Sequence, residues 1–326
     1  MRLLLSLATG LVSVSVGLGA ELRLGIIGCD TSHVGAFTEV LNNPKAKGHV
    51  PGGKVVAAYK GGSPDIPSSF AHIEGYSKTL RDKYGVKIYD SIEEMCKDVD
   101  AVLLESVDGR PHLEQVKPVL QARKPVFIDK PMAASRGDVI EIFRLAKEKK
   151  VPVFSSSALR FARNTQAVRN GLIGKVSYAE TYGPCELEPH HPDLFWYGVH
   201  GAESLFTIMG TGCETVQRQT TADGKIEVVG NWSGGRKGVF RENKEFHGVA
   251  RGEKGETAAG SFDGYEPLVA AIMKFFQTAV APVRPEETIE IFAFMEAADE
   301  SKNKGGTPVK IVVASPPKAA KVGANR

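Results

Sequence analysis

The stretch Leu22-Arg-Leu-Gly25-Ile-Ile-Gly28-Cys29-Asp30-Thr31-Ser32-His33-Val34 decides how the chain is read. Residues 22–27 are a short β-rich run closed by a glycine. Val34, Phe37 and Leu41 then recur at helical spacing, and Asn43-Pro44 stops the helix. A strand, a glycine turn and a helix begin a nucleotide-binding βαβ unit. The alternation continues downstream. Residues 54–59 read as a strand, 61–69 as a Gly/Ser/Pro loop, and the next helix runs to about residue 84. A strand at 86–89 precedes a helix opened by the capping box Ser91/Glu94. Strands follow at 101–104, 126–128 and 151–154, separated by a helix over 113–122 and one capped by Ser135. These strands are near-continuous apolar runs, as a parallel sheet buried on both faces requires. Residues 21–155 are therefore expected to form a doubly wound Rossmann-like domain with its ligand at the carboxyl ends of the strands.

The remainder, 156–326, changes character. A helix over 161–170 leads to a strand at 176–182, a Pro/His-rich loop at 183–192 and a helix over 198–209. Alternating runs at 215–220, 225–232, 239–241 and 245–250 read as antiparallel strands, joined by turns such as Asp223-Gly224. Helices over 265–278 and 285–304 close the chain, and the last ten residues read as a loose tail. The fold class expected is α/β: a Rossmann-like parallel sheet plus a C-terminal α+β domain with an open, mostly antiparallel sheet for substrate and oligomerisation.

With 326 residues, 42% hydrophobic and 24% charged, the chain is long enough for two domains with real cores. The net charge of +3 comes without blocks of like charge, so nothing favours a nucleic-acid partner. Residues 1–20 read as a secretory signal with cleavage after Ala20. The run is too short and too polar to span ~30 Å of hydrocarbon, so no stable membrane span is expected. Export to the periplasm or beyond follows if that signal is real, and a cytoplasmic location otherwise. Cys29, Cys96, Cys185 and Cys213 form no CxxC pair; they read as buried free thiols, with one disulfide allowed by export.

Four places carry chemistry. The first is the turn Gly28, Cys29, Asp30, Thr31, Ser32, His33, where a dinucleotide would meet backbone N–H groups at a helix N-terminus. The full GxGxxG is absent, because Asp30 and His33 stand at its second and third glycines. The plain alternative is a capped helix that binds nothing. The second is Lys60 at the end of the second strand, where an NAD enzyme carries an acid; a lysine tilts the cofactor toward NADP. A solvent-facing lysine is the plain alternative. The third is Asp129-Lys130-Pro131, whose lysine points to the crevice and can relay a proton if burial lowers its pKa. The fourth is Trp196-Tyr197-x2-His200-x2-Glu203, which puts His200 and Glu203 on one helix face. Its plain alternative is a structural histidine bonded to Glu203.

In order and spacing these pieces resemble the glucose–fructose oxidoreductase / inositol dehydrogenase / MocA (Gfo/Idh/MocA) family. Phe127-Ile-Asp-Lys-Pro131 looks like its Glu-Lys-Pro motif, and Arg110-Pro-His112 like its loop after the fourth strand. Leu159-Arg-Phe161 and 171–176 look like its crossover, Trp196-x3-His200-x2-Glu203 like its Asp-x3-His-x2-Asp, and 301–311 like its closing helix and strand. The resemblance implies NAD(P)-dependent oxidation or reduction of a secondary alcohol of a sugar or cyclitol, with NADP slightly preferred and no metal. Lys130 and His200 are then the catalytic pair. The turn residues, Lys60, Ser106, Asp129 and Lys130 bind cofactor. Arg160, Asp193, Trp196, Tyr197 and Glu203 face substrate, and the second sheet supports a homo-oligomer. Trp196 departs from the family at its first aspartate; Asp193 or Glu203 is expected to substitute.

Two other functions stay open on sequence. An exported sugar-binding protein that has lost nucleotide-dependent catalysis is suggested by the broken glycine pattern and the export signal, since an unfolded exported chain carries no cofactor. A metal-dependent hydrolase or lyase is suggested by His190, His191, Asp193 and His200.

Overall fold

A computed structural model describes residues 21–313. The predicted signal at 1–20 and the predicted tail lie outside the described residues. The chain runs β1 (Leu22–Ile27), α1 (Ser32–Asn42), β2 (Gly53–Tyr59), α2 (Pro67–Phe70), α3 (Ile73–Tyr84), β3 (Lys87–Tyr89), α4 (Ile92–Lys97), β4 (Ala101–Leu104), α5 (His112–Gln121), β5 (Val126–Ile128), α6 (Arg136–Lys149) and β6 (Val153–Ser155). These strands form a six-stranded parallel sheet in the order β3-β2-β1-β4-β5-β6, the doubly wound order. The predicted caps are present: Ser91 Oγ accepts from Glu94 N–H at 3.2 Å and Ser135 Oγ from Asp138 N–H at 3.0 Å. Loop 61–69 hides one element the sequence reading missed, the short helix α2, which Pro67 opens.

The predicted helix over 161–170 divides. A 3-10 turn at Ala158–Phe161 is capped by the Ser157 hydroxyl, Ala162 leaves helical geometry, and α7 runs Arg163–Arg169. Next come β7 (Val176–Gly183), a π-helical turn at Leu194–Gly198, α8 (Val199–Met209), β8 (Cys213–Thr220), β9 (Ile226–Trp232), β10 (Arg236–Glu242), β11 (His247–Gly252) and β12 (Gly255–Ala258). The chain continues through α9 (Glu266–Thr278) and α10 (Pro285–Asn303) to β13 (Val309–Lys310). The second sheet has seven strands in the order β12-β11-β7-β10-β9-β8-β13. It is antiparallel except for the β7/β10 pair, which run parallel because β10 returns through the β8–β9 excursion. Strand β12 was not read from sequence, and β13 falls within the closing strand that the resemblance implied at 301–311.

Helix α9 does not stay with the second half. Leu268, Val269, Ile272, Met273 and Phe275 are buried with Leu24, Phe37, Phe127 and Phe154, so α9 covers the first sheet. The two sheets therefore share apolar packing, and the carboxyl edge of the first faces α8 of the second. All four cysteines are free and buried. No described helix is long and apolar enough to cross a membrane.

Candidate active site

Gly28 has φ +92°, and a Cβ there would lie 2.3 Å from Ser106 N, so the ends of β1 and β4 meet too closely for any side chain. Sheet pairing runs past the strand into the turn. Gly28 N–H donates to Tyr59 O at 3.0 Å and Cys29 N–H to Lys60 O at 2.6 Å. Asp30, 3% exposed, accepts from Ser69 Oγ at 2.6 Å and from Val107 N–H at 3.1 Å. Burial raises its pKa against these bonds. Thr31 caps α1 by accepting from His33 N–H at 3.4 Å, and Ser32 is exposed.

Several predicted cofactor contacts are engaged elsewhere. The Cys29 side chain is fully buried, which pushes its thiol up to about 12. The Ser106 hydroxyl donates to Gln115 Oε1 at 2.9 Å, inside the fold. The Lys60 ammonium pairs with Glu74 at 2.7 Å. The Cys29 and Ser106 side chains are thus turned into the fold, while Lys60 forms an exposed ion pair at the end of β2.

The crevice end of β5 carries the reactive groups. His33 Nδ1 lies 2.5 Å from Asp129 Oδ2, both side chains being buried, and Lys130 N–H donates to Asp129 Oδ1 at 2.8 Å. Burial would raise the Asp129 pKa, but the charges of His33 and Lys130 outweigh it and the net shift is downward. The Lys130–Pro131 bond is cis. Lys130 Nζ lies 5.6 Å from the centre of the Tyr197 ring. Burial lowers its pKa, with Asp129 opposing. Tyr265, which no motif marked, closes this side with its ring 4.7 Å from His33.

From the second domain, the Tyr197 and His200 rings lie 5.2 Å apart, and Phe246 lies 5.5 Å from His200. Burial, then the nearby Lys130 and His33, holds the His200 pKa well below its ordinary value, so its ring is neutral at neutral pH. His200 Nδ1 meets Ser157 Oγ at 2.7 Å, not Glu203. Glu203 instead accepts from Ser156 Oγ at 2.6 Å, Ser157 N–H at 2.7 Å and Arg160 Nε at 2.6 Å. Arg160 also pairs with Glu287 at 2.7 Å and is 2% exposed. The predicted substrate roles of Arg160 and Glu203 are thus corrected: they fasten the end of β6 to α8 beneath the cleft.

Asp193 is engaged elsewhere as well. Asp193 pairs with Arg218 at 2.7 Å and Lys302 at 2.6 Å, away from the cleft. The Trp196 ring packs 4.9 Å from His191, and His191 Nε2 lies 3.1 Å from Asp108 Oδ1 on the other domain. His190 binds Glu188 at 2.6 Å. The suggested metal ligands therefore face different partners, and among the described residues no group of three His, Cys, Asp or Glu is placed to hold a metal ion.

One half of the cleft suits a nicotinamide and its alcohol: an aromatic wall, a lysine of lowered pKa and a neutral histidine. At the diphosphate end the buried Asp30 carboxylate stands at the second glycine of the fingerprint, and the N–H groups of residues 28, 29, 33 and 107 already have acceptors.

A doubly wound sheet joined at its carboxyl edge to an open mixed sheet, with polar groups from both facing one cleft, defines the two-domain Rossmann oxidoreductase fold. Residues 22–157 match the GFO_IDH_MocA model, described as an oxidoreductase family with an NAD-binding Rossmann fold. The first domain thus matches the Rossmann domain of the Gfo/Idh/MocA oxidoreductase family. A myo-inositol 2-dehydrogenase of Thermotoga maritima is 36% identical over 105 residues, 30% of this chain and 31% of that protein. An uncharacterized oxidoreductase of Streptococcus pneumoniae is 24% identical over 188 residues, 52% of this chain and 50% of its own. The chain thus spans half or less of these curated relatives. The structure of Lactobacillus casei myo-inositol dehydrogenase with NAD(H) and myo-inositol superposes with a TM-score of 0.71 at 17% identity, covering 91% of this chain and 99% of that one. The scyllo-inositol dehydrogenase of the same organism, with NAD(H) and scyllo-inositol, gives 0.70 at 14% identity, with 89% and 99% covered. At these identities the likeness is one of fold.

Proposed function

We propose that the chain is an NAD(P)-dependent oxidoreductase acting on a secondary alcohol of a sugar or cyclitol. One observation carries this reading: Lys130, just after β5 of the first domain, and His200, on α8 of the second and 70 positions away in sequence, both lie against the Tyr197 ring. The cofactor, when bound, exchanges hydride with the carbinol carbon; the chain handles the hydroxyl proton. Burial lowers the pKa of both Lys130 and His200, so each gives up its proton more readily than the same group in water. Ser157 fixes the His200 ring, and Asp129 fixes the backbone at Lys130. The NAD(H) and inositols bound by the Lactobacillus casei enzymes support the same classes of cofactor and substrate here. Absence of an acid at the end of β2 favours NADP, although Glu74 competes for Lys60.

The test is titration with NAD+, NADP+, NADH and NADPH up to millimolar concentration, followed by turnover on a panel of inositols and hexoses. Cofactor reduction that disappears in Lys130→Met and His200→Asn is expected. Binding of none of the four forms overturns the reading. A homo-oligomer belongs to the same proposal. The second sheet carries a ladder of Tyr178, Glu180, Tyr182, Glu227 and Arg241, with Arg241 2.5 Å from Glu180. A monomer mass by light scattering removes that part. Export directed by residues 1–20 completes it, and a cytoplasmic location found by cell fractionation removes that part alone.

A further inference from the structure

Three segments close over the first turn, and their contacts take no part in the chemistry just described. Asp30 occupies the place where a dinucleotide fingerprint has its second glycine, the residue that lets backbone approach a pyrophosphate. Its carboxylate spans the end of the sheet, taking Ser69 Oγ from segment 61–72 on one side and Val107 N–H from the loop after β4 on the other. Ser69 is fully buried, and its Oγ also accepts from Ser63 N–H at 2.8 Å. Ser63 in turn donates its hydroxyl to Asp108, which also receives Arg110 Nε at 3.0 Å. A pyrophosphate entering here meets a buried carboxyl group, and the N–H groups of Gly28, Cys29, His33 and Val107 around it already have acceptors.

We propose that this arrangement is an intrasteric plug. Asp30 and Ser69 hold the phosphate cradle shut, and a dinucleotide binds only the fraction of molecules in which segment 61–72 has moved aside. The inference rests on reading the chain as a nicotinamide-dependent enzyme. Its consequence is arithmetic: apparent affinity is the intrinsic affinity reduced by the open fraction. Weakening the plug raises affinity without adding a contact to the ligand. Asp30→Gly removes the carboxylate and restores the fingerprint glycine. Ser69→Ala keeps the carboxylate and removes one latch.

The experiment uses the purified full chain with NADH and NADPH as probes. Nicotinamide fluorescence gives the Kd for wild type, Asp30→Gly and Ser69→Ala, and hydrogen exchange reports on 61–72. The expected result is a Kd at least tenfold lower in Asp30→Gly and severalfold lower in Ser69→Ala. Exchange in 61–72 should be faster in both variants, and faster in wild type when the dinucleotide is bound than when it is free. Equal affinities in all three proteins, with unchanged exchange in 61–72 on binding, overturn the plug and leave the nicotinamide reading standing. Binding by none of the three, Asp30→Gly included, overturns both. If Asp30→Gly does not fold, Ser69→Ala and the wild-type exchange comparison still decide the matter.

Discussion

Lys130 meets an aromatic ring at its ammonium, and only the charge of Asp129 opposes the lowering of its pKa by burial. Oxidation of an alcohol should therefore accelerate with pH at values below those of an ordinary lysine, near 10.4. Lys130→Met should abolish that limb of the kcat/KM profile and reduce turnover by roughly 10²–10⁴-fold, the usual worth of a positioned acid–base group. Asp129→Asn should move the limb to lower pH, since the charge that supports protonated Lys130 is gone; a limb that stays put removes Asp129 from this role. Glu105 makes a separate prediction. Both its carboxyl oxygens are buried without partners, and burial, then Asp129 and Asp30, holds its pKa well above the ordinary range. A raised folded pKa means stability is lost as pH climbs from the unfolded value, near 4.3, through the folded one. Glu105→Gln should thus gain stability over wild type progressively as pH rises across that window. Thermal melts at several pH values check it, and a difference independent of pH overturns it.

At the scale of elements, α8 bears the most. All of its residues, Val199–Met209, are buried. A Cβ at Gly201 would stand 2.2 Å from the Phe240 ring, so the helix lies on β10 at glycine distance. Gly201→Ala should cost about 1–3 kcal/mol, as overpacking does, and move His200 with the helix. The Glu203–Arg160–Glu287 cluster holds the other side. Arg160→Met leaves two buried carboxylates short of a partner and should cost about 3–5 kcal/mol in urea unfolding; a loss under about 1 kcal/mol would show the cluster to be idle. Elements are also where sequence reading succeeds and stops. Ser91 and Ser135 were legible as caps because cap and bonded N–H lie three residues apart. The apolar strands of the first sheet were legible because burial on both faces is written in each run. Lys130 and His200, the pair proposed to handle the proton, stood out as motifs. Its support was not: Ser157 lies 43 positions from His200, His33 lies 96 from Asp129, and α9 packs on a sheet that ended about 110 residues earlier. Helical spacing offered Glu203 as a partner of His200 only in the plain alternative reading, and three donors from other segments claim its carboxylate.

The whole molecule depends on how its two sheets stay apposed across the cleft, and Asp108 is a direct polar tie between them. Its carboxylate, 1% exposed, draws together Ser63 and Arg110 of the first domain and His191 of the second. Burial alone would raise its pKa, yet the close approach of His191 and the bonds from Arg110 and Ser63 outweigh this and hold it far below the ordinary carboxylate range. A depressed folded pKa gives stability that is fully present above the unfolded value, near 3.9, and is lost as pH falls toward the folded one. Wild type should therefore melt above Asp108→Asn at neutral pH, with the gap narrowing as the solution is acidified below about pH 4. Because the tie crosses the cleft, the variant should also have the larger radius of gyration in small-angle scattering at neutral pH. Trp196 reports on the same place, since its ring lies against His191, and its fluorescence should change in the variant without any ligand. A melting gap that does not depend on pH, or identical scattering for the two proteins, would show that the domains are held by apolar packing alone.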